Sequence, residues 1–96
     1  MIVEKPFNAN ETITIRTNAG EEIVARYQGE DDNTLKVTKP LALQASQQGI
    51  GLGPWVYTVD PKDTVKLNKS SILFVHRTES GMASQYMSAT TGLTVN

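Results

Sequence analysis

The sequence predicts an all-β domain of five or so short antiparallel strands, a small barrel or sandwich with a β-hairpin arm and a short C-terminal helix. Three observations carry this. Polar and β-branched apolar residues alternate with period two, most clearly in residues 11–17 (ETITIRT). Turn-forming clusters recur at close intervals. A helical spacing of apolar residues appears only after Glu79. The 96 residues read as one domain, with the barrel over about 11–78, the arm over about 39–60 and the helix over about 80–91.

The elements follow in order. After the strand at 11–17, Asn18-Ala19-Gly20-Glu21 supplies a turn, and residues 22–28 (EIVARYQ) resume the alternation with Ile23, Ala25 and Tyr27 on one side. Residues 29–33 (GEDDN) form a second turn, and residues 34–38 (TLKVT) place Leu35 and Val37 inward. Lys39-Pro40 interrupts this third strand, because proline donates no hydrogen bond, and a bend is expected there before LALQ continues. Residues 44–54 (QASQQGIGLGP) carry glycines at 49, 51 and 53 and read as a loop. Residues 55–60 (WVYTVD) then read as the strand that pairs back on 41–44 to complete the arm. Pro61-Lys62-Asp63 turns the chain, and two further strands, 65–68 (VKLN) and 71–77 (SILFVHR), flank a corner at Asn68-Lys69-Ser70. Met82, Ala83, Tyr86, Met87 and Thr90 lie at helical spacing, with Ser80 the expected N-cap and Gly92 the expected stop.

Charge and composition narrow the function. The net charge is −1 and the sequence pI about 5.7, so general electrostatic attraction to nucleic acid is weak. The charge is nonetheless uneven. Residues 1–35 hold seven acidic against three basic residues, a balance of −4, whereas residues 61–78 hold four basic against one acidic, a balance of +3. Gathered on one edge of a subunit, these basic residues would be repeated by a ring around its axis, although each taken singly reads first as an ordinary solvated charge. With no cysteine there is no disulfide, thiol chemistry or thiolate metal site. Glu4, Lys5 and Pro6 break the N-terminal apolar run, so neither a signal peptide nor a membrane span is expected, and the default is a cytoplasmic protein.

Catalysis requires a nucleophile with a base, a metal cage or a matched acid and base. His76 is the only histidine and sits in an apolar strand, which reads as a surface or subunit contact. Asp31 and Asp32 are adjacent on a turn, where carboxylates stabilise the turn by accepting from backbone amides. The alternating glycines lack the following helix and lysine of a phosphate loop. Trp55, Tyr57 and Tyr27 have the chemistry to stack on bases, but strand aromatics more often anchor cores or interfaces. No enzyme, metal or cofactor is expected.

Residues 13–37 (ITIRTNAGEEIVARYQGEDDNTLKV) resemble the first signature of the Sm and LSm family, which includes bacterial Hfq. Gly20 falls on the turn glycine, Ala25 on the small residue at the sharpest bend, Asp31 on the loop aspartate and Leu35 on the next strand's leucine. Residues 65–75 (VKLNKSSILFV) resemble the second signature, with Asn68-Lys69 at the basic corner. The resemblance implies a strongly bent, five-stranded antiparallel barrel of Sm-like, SH3-type form, whose edge strands pair with neighbouring copies in a homo-oligomeric ring. It places Ile72, Leu73, Phe74 and Val75 at the subunit interface. The loops carrying Asp31, Asn33 and Thr34 and carrying Asn68, Lys69 and Ser70 would line the pore and contact RNA, Lys69 foremost and Asn33 second.

Two non-catalytic functions follow as expectations. The first is a ring binding single-stranded RNA through those loops. The second is a structural or adaptor ring with a protein partner. Small acidic proteins of this look also occur in tailed phages, and a phage is a natural setting for the second.

Overall fold

The computed structural model describes residues 2–3 and 7–91. Seven strands and one helix follow in sequence: β1 (Ile2–Val3), β2 (Thr12–Thr17), β3 (Glu22–Glu30), β4 (Thr34–Ser46), β5 (Gly49–Pro54), β6 (Val65–Asn68), β7 (Ile72–Arg77) and α1 (Ser80–Thr91). A 3-10 turn over Lys69–Ser71 joins β6 to β7. The sheet runs β1-β7-β2-β3-β4-β5, with β6 also on β4. All ladders are antiparallel except the two-residue pairing of β1 with β7.

The alternation seen in the sequence sorts the side chains onto two faces. Ile13 and Ile15 of β2, Ile23 and Ala25 of β3, Leu35 and Val37 of β4, and Ile72 and Val75 of β7 pack with Phe7 in one cluster. Six of these, Ile13, Ile15, Ile23, Ala25, Leu35 and Val37, are fully enclosed at 0% exposure, the five larger ones each stabilising the fold by about 1.5–3 kcal/mol. Tyr27, Trp55, Val65 and Leu67 flank the cluster, Tyr27 tilting against Phe7 with ring centres 5.4 Å apart.

The sheet bends strongly at two places on β3 and β4. The ladder shifts register between Val24 and Arg26 and again between Tyr27 and Gly29. At the first shift the partner residues jump from Leu41 to Thr38, leaving Ala25 opposite the bulge at Lys39-Pro40, where Lys39 takes a φ of +51°. The bend expected at Lys39-Pro40 is therefore present. At the second, Gly29 has a φ of +119°, a region that a side chain disfavours. The bend divides the thirteen-residue β4 into two halves: 34–37 pair with β6 and 41–46 with β5.

Three expectations need correction. The sheet is open: no ladder joins β5 or β6 to β7 among the described residues, so five strands do not close into a barrel. The 3-10 turn carries the chain across the gap, and a cavity of about 390 Å³, lined by Thr17, Asn18, Trp55, Leu67, Asn68 and Ile72 among others, occupies it. Next, the arm returns through residues 49–54, read as a loop, and not through 55–60, which are irregular. The register of β5 supplies the reason. Gly53, Gly51 and Gly49 pair with Ala42, Gln44 and Ser46, so the glycines share one face, while Pro54, Leu52 and Ile50 pair with Leu41, Leu43 and Ala45 on the other. The glycine period is a strand period. Finally, β1 was not expected at all.

Helix α1 follows the expected span, but its N-terminal cap is Glu79, whose carboxylate accepts from the amides of Gly81 at 3.0 Å and Met82 at 2.8 Å. These two bonds hold the Glu79 carboxyl below its usual range. A carboxylate reaches two orphan amides where Ser80 was expected to serve one. The stop expected at Gly92 lies outside the described residues. Tyr86 is the buried residue of the helix, and its hydroxyl donates to the carbonyl of Lys39 at 2.6 Å, locking the helix onto the β4 bulge. Arg26 donates to Thr90 Oγ1 at 3.4 Å and Lys39 Nζ to the Thr90 carbonyl at 3.1 Å, fixing the far end.

Candidate functional site

The loop between β3 and β4 is built around Asp31. Its Oδ1 accepts from the amides of Asn33 at 2.9 Å and Thr34 at 2.8 Å, while its own amide donates to the Thr34 carbonyl at 2.9 Å. This is the local closure that aspartate favours in turns. The two amide bonds, with smaller help from the charges of Lys36 and Lys69, hold the Asp31 carboxyl below its usual range. Asp31 thus shapes the loop, and its oxygen faces backbone.

The corner between β6 and β7 meets this loop. Thr34 pairs with Asn68 across the β4–β6 ladder, and the Lys69 amide donates to the Asn33 carbonyl at 2.9 Å. Asn18, on the β2–β3 turn, donates through Nδ2 to the Ser70 carbonyl at 2.7 Å and through its amide to that of Ser71 at 2.9 Å. Asp31, Asn33, Thr34, Asn68, Lys69 and Ser70 therefore form one cluster, drawn from segments far apart in sequence. Asn33, Asn68 and Ser70 are exposed, and their side chains make no hydrogen bond among the described residues.

Lys69 is placed in the cluster but engaged. Its Nζ donates to Glu30 Oε2 at 3.1 Å, and Glu30 Oε1 accepts from the Tyr27 hydroxyl at 3.2 Å. Burial, and then the neighbouring Glu30 charge, push the Tyr27 hydroxyl above its ordinary pKa. Sequence reasoning missed Glu30 because a partner across the loop depends on how the two loops meet.

The four interface candidates divide. Ile72 and Val75 belong to the core, at 5% and 2% exposure, whereas Leu73 and Phe74 are 55% and 42% exposed. Apolar residues on both faces of β7 were expected, and the inward pair is Ile72 and Val75. At the other side of the sheet Ile50, Tyr57 and Val59 are also exposed, and no charged residue occurs between Leu41 and Val59. An apolar groove of about 430 Å³ runs between the arm base and the end of α1, with Leu41, Pro54, Tyr57, Val59 and Ala89 in its walls.

Two lysines were not singled out from sequence. Lys36 and Lys66 are directly opposed across β4 and β6. The alternation in TLKVT and VKLN already put both outward. Only the register that makes them neighbours was missing.

His76 is exposed on β7, its Nδ1 2.8 Å from the Arg77 carbonyl oxygen. The Arg77 guanidinium pairs with Glu11 and lies 5.1 Å from the centre of the Phe7 ring, a structural role at the edge of the core. Among the described residues no group of three or more His, Cys, Asp or Glu side chains is placed to hold a metal ion, and no helix is long and apolar enough to cross a membrane. The chain matches no protein-family model and no curated protein.

Proposed function

We propose that the chain is a non-catalytic, Sm-like subunit that assembles into a homo-oligomeric ring and binds single-stranded RNA through the loops at 31–34 and 68–70. The observation that carries this reading is the junction of the two loops, with Thr34 paired to Asn68 and the Lys69 amide bonded to Asn33. It leaves the amides of Asn33 and Asn68 and the Ser70 hydroxyl facing solvent together, the donors and acceptors that read base edges. Strand order supports the fold half of the reading. The chain meanders β2-β3-β4, and β7 returns beside β2 after a 3-10 corner, as in an SH3-type barrel.

A ring also gives a use to the two exposed apolar edges. Among the described residues the outer side of β5 is an unpaired strand edge bearing no charge, and Leu73 and Phe74 stand on β7 toward the opposite edge. Head-to-tail contact of unlike edges closes a ring, and it buries the strand edge that would otherwise invite aggregation. Among the described residues, β1 occupies the β7 edge at Phe74 and Val75. Native mass measurement combined with a gel-shift titration of short RNA homopolymers tests the whole reading: a closed oligomer that shifts oligo-U or oligo-A supports it, and a monomer overturns it.

A second reading, a structural or adaptor ring with a protein partner, is favoured by one observation. The arm ends in Ile50, 62% exposed, and is followed by Tyr57, 79% exposed, an apolar display that RNA would not cover. A closed oligomer that binds no RNA at low salt and retains a protein in affinity purification through the arm decides for it.

A further inference from the structure

Lys36 and Lys66 face each other on one rung of the β4–β6 ladder. Like charges directly opposite are unfavourable in a sheet, and neither lysine has an ion pair or hydrogen bond among the described residues. The carboxylate whose charge reaches Lys36 is Asp31, and that carboxylate is committed to the amides of Asn33 and Thr34. On the β3 side Lys36 pairs with Gly29, so that position of the rung carries no side chain. The next rung is Thr34 and Asn68, a hydroxyl and an amide on the same face, and beyond it lies the loop cluster. Successive same-face rungs are about 7 Å apart along a strand, the scale of neighbouring phosphates in an extended nucleic-acid strand.

From this juxtaposition we infer that the outward face of the β4–β6 ladder is a phosphate-binding strip, along which the backbone of a single-stranded RNA leaves the loop cluster, with one phosphate bridging Lys36 and Lys66. A phosphate between the two ammonium groups turns their repulsion into attraction, and Thr34 and Asn68 offer it hydrogen bonds on the adjoining rung. Lys66, from the basic segment 61–78, is thereby set beside Lys36 in a protein whose total charge is −1. The inference rests on the RNA-binding reading, and it assigns phosphate binding to residues outside the loops.

Fluorescence anisotropy of labelled oligo-U and oligo-A over a series of salt concentrations tests it, using the assembled wild-type protein, Lys36→Gln, Lys66→Gln, the double variant, and Lys62→Gln as a control on the separate turn at 61–63. Each single change is expected to weaken binding severalfold at low salt. The double variant should flatten the slope of log K against log salt by about 0.7, for the one phosphate that is no longer neutralised. Its melting temperature should equal or exceed that of the wild type, since the like-charge rung is relieved, and its assembly mass and the binding of Lys62→Gln should be unchanged. A double variant with the wild-type slope overturns the strip and leaves the loop reading standing. Wild-type protein that binds no RNA overturns both. Poly-glutamate competing as well as RNA at equal charge concentration assigns the strip to acidic proteins and overturns it too.

Discussion

Lys69 donates to the Glu30 carboxylate at 3.1 Å across the junction of the two loops, with the Lys69 and Glu30 side chains 19% and 27% exposed. The cation proposed as the foremost RNA contact thus already has an anion. A partly exposed pair of this kind contributes about 1 kcal/mol, a bond that a phosphate can displace. Glu30→Gln removes the competitor and is expected to tighten RNA binding severalfold without altering the oligomer. Anisotropy titration checks this, and unchanged or weaker binding would remove Lys69 from the RNA-binding residues.

Asp31 is expected to act on the loop rather than on the ligand. Asp31→Ala frees the amides of Asn33 and Thr34, so hydrogen exchange at both should accelerate while exchange in β2 stays slow. The folded-state carboxyl titrates below the ordinary carboxylate range. Its contribution to stability is therefore present above that range and lost as pH falls through the lowered value. Glu79 behaves in the same sense. Acid unfolding monitored by circular dichroism should show a shallower loss in the Asp31→Ala, Glu79→Gln double variant than in the wild type.

Tyr86 gives the opposite pH signature. Burial pushes its hydroxyl up to about 12, partly offset by the nearby Arg26. A raised value means that the fold favours the neutral phenol. The stabilisation is complete below pH 10 and is lost as pH rises toward 12, by on the order of 2 kcal/mol. Tyr86→Phe also deletes the bond to the Lys39 carbonyl, which costs about 1 kcal/mol at neutral pH. Denaturant melts from pH 7 to 12 should show the gap between the two proteins closing above pH 10 and then reversing, and a constant gap would refute the assignment.

Assembly is predicted to depend on Leu73 and Phe74, which the monomer leaves 55% and 42% exposed. Leu73→Asp with Phe74→Asp should reduce the native mass to that of the subunit while leaving the circular dichroism spectrum intact. Retention of the oligomer would place the interface elsewhere, with the arm the next segment to substitute.

The inward half of each strand was legible because a period of two needs no partner to be visible. Ile13, Ile15, Ile23, Leu35 and Val37 are where the alternation put them. The arm was misread because glycine is a poor strand former on average, yet glycines two apart share a face. On that face Gln44 lies so close to Gly53 that a Cβ there would stand 2.6 Å from its amide group. WVYTV has a strand's composition, but Trp55 packs against the core instead and donates to Glu21 at 3.0 Å. Turn chemistry marked each loop by itself, and only the family resemblance set the two side by side, as Thr34 opposite Asn68 and the Lys69 amide on Asn33 now do. Lys36, Lys66 and Glu30 were not singled out, because they become neighbours only through register.

The hydroxyl of Tyr86 on the Lys39 carbonyl has a sequential side. The sheet is complete once Arg77 has paired with Ile13, yet the bulge on β4 waits for a residue further along the chain. The fold therefore divides into a sheet and a clasp, contributed by a later segment, that closes on it. The clasp is a single helical segment, easy to open compared with any strand of the core.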